Sequence, residues 1–152
     1  MSIVAPFDGG EYARLALSRA AALAADADAD LLTISVIHRH ADDPVSLGWL
    51  EPGEDWDPNV IAERLREAVA EIAPEAKPHI IRSSTGLPRG AVAREIRRFA
   101  RGHDADLVVI GSENAGRIVT PVTSVGGKVA TDAAYDVYLA RRATSGLFEG
   151  DR

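Results

Sequence analysis

Two short segments carry groups that are suited to holding a small anion. Asp8 follows the apolar run 3–5 and precedes two glycines. A carboxylate in that place can accept hydrogen bonds from a ribose hydroxyl or an adenine amine. Gly111 follows a second apolar run, 107–110, and opens the segment GSENAGRIVTPVTS. A glycine-opened loop between a strand and a helix is where open α/β proteins hold phosphates, so the two segments together predict an anion-binding crevice.

Each of these features also has a purely structural interpretation. Asp8 can cap the helix that begins near Glu11, and one carboxylate can do both jobs. Thr123 and Ser124 lie near the start of the last predicted helix, where free N–H groups and the helix dipole favour an anion. The same two residues can instead be an ordinary helix cap. Pro121 tightens the loop and removes one donor.

The elements that must position these groups follow from the periodicity of the apolar residues. Apolar runs predict strands at 2–5, 31–37, 79–82, 106–110 and 136–141. Helical spacing predicts helices at 11–25, 58–72, 91–101 and roughly 121–134. This alternation predicts one α/β domain over residues 1–142, followed by a flexible tail, 143–152.

The predicted architecture is an open, doubly wound sheet of five parallel strands with helices on both faces. Right-handed crossovers favour the strand order 3-2-1-4-5. Its topological switch point lies between strands 1 and 4, where a ligand crevice is expected. The loops that meet there are 6–10 and 111–124, so topology alone brings Asp8 toward Gly111.

Composition excludes several classes of function. The chain has 152 residues, a formal net charge of −6 and no cysteine, which excludes disulfides and thiolate metal sites. An acidic surface repels phosphate backbones, so no nucleic-acid partner is expected. No run reaches the ~18 apolar residues of a membrane span, and no signal peptide is recognised, so a cytoplasmic location is expected. Lys77 and Lys128 are outnumbered by arginine, and alanine and aspartate are abundant. That bias fits a high-GC genome or a halophilic, high-salt cytoplasm.

Four segments resemble the universal stress protein family: IVAPFD, LLTISVIH, TGLPRGAVAREIRRFARGHDADLVVIGS and TSVGGKVATDAAYDVYLARR. They span nearly the whole chain, with residues 38–57 the least matched and ADLVVIGS the most specific. The resemblance implies the five-stranded fold and a homodimer. It also implies, in one branch of the family, binding of ATP or AMP; another branch has lost nucleotide binding.

The nucleotide-binding branch carries a glycine, two residues, a glycine, nine residues, a glycine and then Ser or Thr. Gly111 matches the first position, but Asn114 stands at the second, and Thr123-Ser124 is the best match for the last pair. Asn enters the left-handed region readily and can keep the turn, whereas the β-carbon of Thr123 can block a phosphate. The resemblance implies these nucleotide-contacting residues: Pro6, Phe7, Asp8, Val36, Gly86, Gly111, Asn114, Gly116, Thr123, Ser124 and Val125.

Two functions follow as alternatives. One is a stress-response regulatory protein that binds ATP or AMP, with the participation of Mg²⁺ left open. The other is a nucleotide-free dimeric module that regulates a transporter or an enzyme, which the loss of two motif glycines favours. An adenylate-forming ligase is a weaker third, because the loop FDGG is too short for one. No nucleophile stands beside a base, so no catalytic residue is predicted and any ATP hydrolysis would be slow.

Three further features have simpler interpretations. Trp49 and Trp56 lie in the long excursion at 38–56 and are expected to pin it to the body of the domain, although they can also clamp a ligand. His38 and His40, with Asp42 and Asp43 nearby, predict a solvated strand end rather than a metal site. The last strand, 136–141, is a predicted sheet edge with apolar residues and therefore the expected surface of a homodimer.

Overall fold

The sheet is built from five parallel strands, as predicted. The computed structural model describes residues 1–39, 41, 43–83, 90–111 and 134–141. Its strands are β1 (Ser2–Pro6), β2 (Asp30–Ile37), β3 (Lys77–Arg82), β4 (Leu107–Gly111) and β5 (Asp136–Ala140). They pair in the order β3-β2-β1-β4-β5, which confirms the α/β fold class and the predicted strand order.

The described helices are α1 (Glu11–Ala27), α2 (Pro58–Ile72) and α3 (Ala91–Gly102). The start of α2 is capped by a side chain: Asp57 is the N-cap and accepts a 3.0 Å hydrogen bond from the Asn59 N–H, and proline occupies the first helical position. The helix predicted over roughly 121–134 lies outside the described residues apart from Ala134, and so does the tail 143–152.

Two apolar layers cover the two faces of the sheet. Along β2, side chains alternate between them: Leu31 and Ile37 belong to one cluster, and Ile34 and Val36 to the other. The first cluster contains the buried faces of α1 and α2, and the second contains Ile96 and other residues of α3. The helices therefore lie on both faces, and the ends of the central strands are left for connecting loops.

The two edge strands differ in character. β3 pairs with β2 and carries Lys77 and Pro78 at its start. β5 pairs with β4 and exposes Val137 and Leu139 to solvent, at 37% and 40% of their surface. Tyr138 points the other way, into the layer with α1 and α2. Its hydroxyl there accepts a 2.9 Å hydrogen bond from the guanidinium group of Arg19 on α1.

The excursion between β2 and α2 is fixed by its own turns and by the body of the domain. The Asp43 carboxylate accepts hydrogen bonds from the Ser46 N–H and hydroxyl, which hold the pKa of Asp43 below its usual value. The backbone N–H of Trp49 donates to the Pro44 carbonyl at 2.9 Å. Within the described ranges, no helix is both long and apolar enough to cross a membrane.

Candidate functional site

The carboxyl ends of β1 and β4 lie side by side. Ile3 pairs with Leu107 and Val4 with Val108. Continued by the same offset, this register brings Gly111 level with Phe7, one residue before Asp8. The predicted meeting of the two strand ends is therefore confirmed, and the loop after β1 lies at the same edge of the sheet as the end of β4.

Among the described residues, only one oxygen of the Asp8 carboxylate accepts a hydrogen bond. Its Oδ1 accepts a 2.9 Å hydrogen bond from the N–H of Gly10, which is the N-cap of α1. Asp8 is therefore not the N-cap of α1, which has no side-chain capping bond; its carboxylate instead holds the turn that precedes the helix. Among the described residues no donor reaches its Oδ2, and the side chain is only half-buried. The second oxygen can therefore accept a hydrogen bond from a ligand.

The backbone before Asp8 is tied to β2. The Phe7 N–H donates to the Ile34 carbonyl at 2.9 Å, and the Ser35 hydroxyl donates to the Phe7 carbonyl at 2.6 Å. Pro6 is buried at the end of β1, and the Phe7 ring is 1% exposed in the layer with α1 and α2. These contacts set the direction in which the chain leaves the sheet, and with it the position of Asp8.

The excursion packs directly on the loop after β1, which was not predicted. Gly9 has a φ of +89°, and a β-carbon added there would collide with the carbonyl oxygen of Leu47. Trp49 donates from its indole Nε1 to the Asp8 carbonyl oxygen at 2.7 Å. The pair Gly9-Gly10 indicates a tight turn in the sequence. The segment that packs on this turn comes from far along the chain, because Trp49 and Asp8 are 41 residues apart.

Arg14 also contacts the loop after β1, which was not predicted from the sequence. Its Nε donates to the Gly9 carbonyl at 2.9 Å, and its guanidinium lies 5.9 Å from the centre of the Phe7 ring. In the sequence, nothing distinguishes Arg14 from any other solvated arginine in the first turn of a helix. The structure shows instead that Arg14 joins α1 to the loop in front of it.

Gly111 is required by the packing of α1 on β4. It ends β4, pairs with Ala140 and is buried. A β-carbon on Gly111 would lie 2.6 Å from the Tyr12 β-carbon and 2.9 Å from the Tyr12 carbonyl oxygen, so α1 approaches β4 at the distance that glycine allows. Val36, the predicted adenine contact on β2, is 7% exposed and packs in the layer with α3, the opposite face from Phe7.

Five of the predicted nucleotide-contacting residues lie at the ends of neighbouring strands: Pro6, Phe7, Asp8, Val36 and Gly111. The side chains of Phe7 and Val36 do not converge there, because they are buried in the two opposite layers of the core. The remaining six lie outside the described residues: Gly86, Asn114, Gly116, Thr123, Ser124 and Val125. Their contribution stays a prediction from the sequence.

The tryptophans pin the excursion, as expected. Trp49 is 2% exposed, its ring centre lies 6.3 Å from that of Trp56, and both pack on the layer with α1 and α2. Arg64 on α2 donates to the Trp49 carbonyl at 2.9 Å and forms a two-point ion pair with Glu54. The hydrogen bond and charge of Arg64 lower the pKa of Glu54 to about 2.

The histidines form no metal site in the described part of the chain. The His38 ring lies edge-on to Trp49 with ring centres 6.2 Å apart, while His40 and Asp42 lie outside the described residues. The described residues contain no group of three side chains that could hold a metal ion. His103 is the C-cap of α3 and contacts the Phe99 carbonyl through Nδ1 at 2.9 Å.

The strand order and the parallel pairing of β1 with β4 define an open α/β protein. The sequence matches the model of the universal stress protein family over residues 1–141. The chain therefore belongs to the universal stress protein family. Among curated proteins, none matches the sequence.

Several solved structures share this fold. A universal stress protein in complex with cAMP is 22% identical, with a TM-score of 0.54, and the match covers 91% of this chain and 95% of that one. UspA from Lactobacillus plantarum is 24% identical, with a TM-score of 0.51 and coverage of 93% and 97%. A universal stress protein from Archaeoglobus fulgidus in complex with dAMP is 17% identical, with a TM-score of 0.54 and coverage of 91% and 96%.

Proposed function

We propose that this protein binds an adenine nucleotide, ATP or AMP, in the crevice between β1 and β4 and acts as a regulatory protein. The observation that carries the proposal is the half-buried Asp8 carboxylate, whose Oδ2 has no donor in the described part of the chain and which follows a strand that pairs with β4. Two proteins of the same fold, solved with cAMP and with dAMP, support the choice of an adenine nucleotide.

In the proposed complex, Asp8 accepts a hydrogen bond from a ribose hydroxyl or the adenine amine. The backbone around it is already fixed by Ser35 and Trp49, so little conformational entropy is lost when the ligand binds. The segment that starts at Gly111 supplies backbone N–H groups to the phosphates, with Asn114, Thr123 and Ser124 as its polar side chains. No general base is assigned, so hydrolysis of ATP is not part of the proposal, and a role of Mg²⁺ is left to the experiment.

Calorimetric titration with AMP and ATP, with and without Mg²⁺, tests this proposal. Asp8→Asn is the informative variant, because its amide oxygen can still accept from Gly10 while its NH₂ group cannot accept from a ligand. We expect saturable binding that Asp8→Asn weakens about tenfold, the size of effect when a hydrogen bond to a charged group is lost. Asp26→Asn is the matched control, since Asp26 is exposed on the last turns of α1.

Unchanged affinity in Asp8→Asn, or no heat with any nucleotide, would overturn the proposal. Asp8→Ala is a useful companion, because it removes the Gly10 acceptor as well as the ligand acceptor. A loss of stability in Asp8→Ala that is absent in Asp8→Asn would separate the role of Asp8 in the helix start from its role in binding.

A second function is favoured by a different observation. Val137 and Leu139 on the edge strand β5 are exposed, and an apolar strand edge invites pairing with another chain. We propose a two-fold homodimer through 136–141. If nucleotide does not bind, this dimer becomes the basis of a nucleotide-free module that regulates another protein, as the replaced motif glycines at 114 and 123 favour.

A further inference from the structure

A surface cavity lies beyond the carboxyl ends of β2 and β3, on the far side of β2 from the β1–β4 crevice. It has a volume of about 370 Å³ and is lined by Arg39, Trp56, Pro58, Arg82 and Ser83. Cavities that hold small molecules typically measure about 300–1,000 Å³. The cavity is therefore large enough for a small metabolite, and no predicted site accounts for it.

The described lining of this cavity is positively charged in an acidic protein. The chain has a net charge of −6, yet the five lining residues include two arginines and no carboxylate. Within the described ranges, neither Arg39 nor Arg82 takes part in an ion pair. Their two charges are thus available to a ligand.

Uncharged partners hold both guanidinium groups at the cavity. Arg39 lies over the Trp56 ring, 5.7 Å from its centre. Arg82 donates to the Asn59 side-chain oxygen at 2.6 Å. Because these partners orient the guanidinium groups without neutralising them, part of the entropy cost of fixing the arginines is met before a ligand arrives.

Trp56 adds a flat apolar wall. The indole is half-buried and packs against Trp49 with ring centres 6.3 Å apart, so its position is fixed from the inside. The start of α2 is not the source of the positive charge, since Asp57 already accepts from the Asn59 N–H there. The arginine side chains supply the charge of this cavity, and the indole supplies its apolar surface.

We infer that this cavity binds a small dianion, either a phosphate monoester or a dicarboxylate. Its charged group contacts Arg39 and Arg82, and the rest of the molecule lies against Trp56. The planar fork of a guanidinium matches both phosphate and carboxylate oxygens, and two arginines balance a charge of −2. This site is separate from the proposed nucleotide site and does not rest on it.

Titration of the ¹⁵N-labelled protein with inorganic phosphate and with succinate, at constant ionic strength, tests the inference. We expect a saturable shift of the Trp56 indole signal, which a Trp56→Phe variant identifies. The anion that saturates at the lower concentration tells which class is bound. Arg39→Gln and Arg82→Gln should each weaken that binding about tenfold.

Two controls keep this experiment specific. Arg94→Gln removes an exposed arginine from α3 on the other face of the sheet and should leave the affinity unchanged. Asp8→Asn should also leave it unchanged, so failure of one site is distinguishable from failure of the other. Shifts that grow without saturation for both anions, or equal affinity in Arg39→Gln and the wild type, would overturn the inference. Should Arg82→Gln fail to fold, Arg39→Gln decides, because its described contact is only with the Trp56 ring.

Discussion

The indole Nε1 of Trp49 donates a 2.7 Å hydrogen bond to the backbone carbonyl oxygen of Asp8. One partner belongs to the excursion between β2 and α2, and the other to the loop that begins the candidate site. Trp49 is almost fully buried, so its ring is fixed in the core and this bond holds the two segments in one arrangement. The excursion is therefore part of the support of the site.

Replacing Trp49 by phenylalanine should destabilise the fold. Phenylalanine keeps an aromatic ring but has no donor for the Asp8 carbonyl, and leaving a buried acceptor unpaired costs about 1–3 kcal/mol. Urea denaturation should show a lower free energy of unfolding for Trp49→Phe. Trp56→Phe is the matched control, because no hydrogen bond of the Trp56 indole is found in the described residues, and it should change stability less. An equal loss in both variants would contradict this role of Trp49.

Gly111→Ala should destabilise the protein through overpacking. The added methyl would lie 2.6 Å from the Tyr12 β-carbon, so either α1 or β4 must shift, and such strain typically costs about 1–3 kcal/mol. Gly102→Ala at the end of α3 is the control, since a β-carbon there meets nothing within 4 Å. Thermal denaturation should show a lower melting temperature for Gly111→Ala but not for Gly102→Ala. A Gly111→Ala protein as stable as the wild type would show that α1 and β4 separate readily.

Acid should weaken the attachment of the excursion to α2. The pKa of Glu54 is lowered from 4.5 to about 2 by its hydrogen bonds and its charge pairing with Arg64. Because the folded-state pKa lies below the unfolded value, the stabilisation is complete above pH 4.5 and is lost as the pH falls toward 2. NMR titration of the Glu54 side-chain carboxyl should give the low pKa directly. Glu63→Gln should leave that titration unchanged, whereas Arg64→Gln should return the Glu54 pKa toward 4.5.

Mild acid should also act at the edge of the sheet through His79. Burial first, and the nearby His103 second, lower the pKa of His79 below 6.5. The unfolded chain then binds a proton more readily than the folded one, so the free energy of unfolding falls as the pH drops below 6.5 and levels off below the folded-state pKa. Urea denaturation at pH 8 and pH 5.5 should show a smaller pH effect in His79→Gln than in the wild type. A His79 ring that titrates at or above 6.5 by NMR would refute this.

The proposed homodimer should dissociate into monomers when a charged side chain is placed on the edge strand β5. Leu139→Arg puts a cation on an exposed position of that strand, where the proposed partner strand would bury it. Light scattering after size exclusion should report a dimer for the wild type and a monomer for Leu139→Arg. Val45→Arg changes an exposed valine in the excursion and should remain a dimer. A wild-type monomer at all concentrations would rule out the proposal.

Strands and helices could be predicted from the sequence because their signals are local. The predicted α2, 58–72, agrees with the structure, since Asp57-Pro58 is a specific helix start. β3 begins at Lys77 rather than at 79, because parallel pairing with β2 extends through Pro78, a residue that a sequence pattern treats as a break. Strand order followed from the alternation of elements and the handedness of crossovers.

The candidate site was only partly predictable. Asp8 and Gly111 were recognised from residue type and position, and the sheet brings their segments together. The contacts of Leu47 and Trp49 with the loop after β1 were not predicted, because they join segments far apart in sequence and the excursion has no regular period. Gly111 was predicted from the sequence as a ligand-binding residue, whereas the structure shows a packing reason for glycine there, the close approach of Tyr12.

The two edge strands of the sheet, β3 and β5, differ, and this difference would limit the size of an assembly formed through β5. A proline lacks the N–H that a neighbouring strand needs, and a lysine at a strand edge discourages stacking, so Lys77 and Pro78 make β3 a poor acceptor for another molecule. Two copies joined through β5 would present β3 at both outer ends of a ten-stranded sheet, five strands from each copy. In the proposed dimer, growth would therefore stop at a closed pair instead of continuing into a fibre.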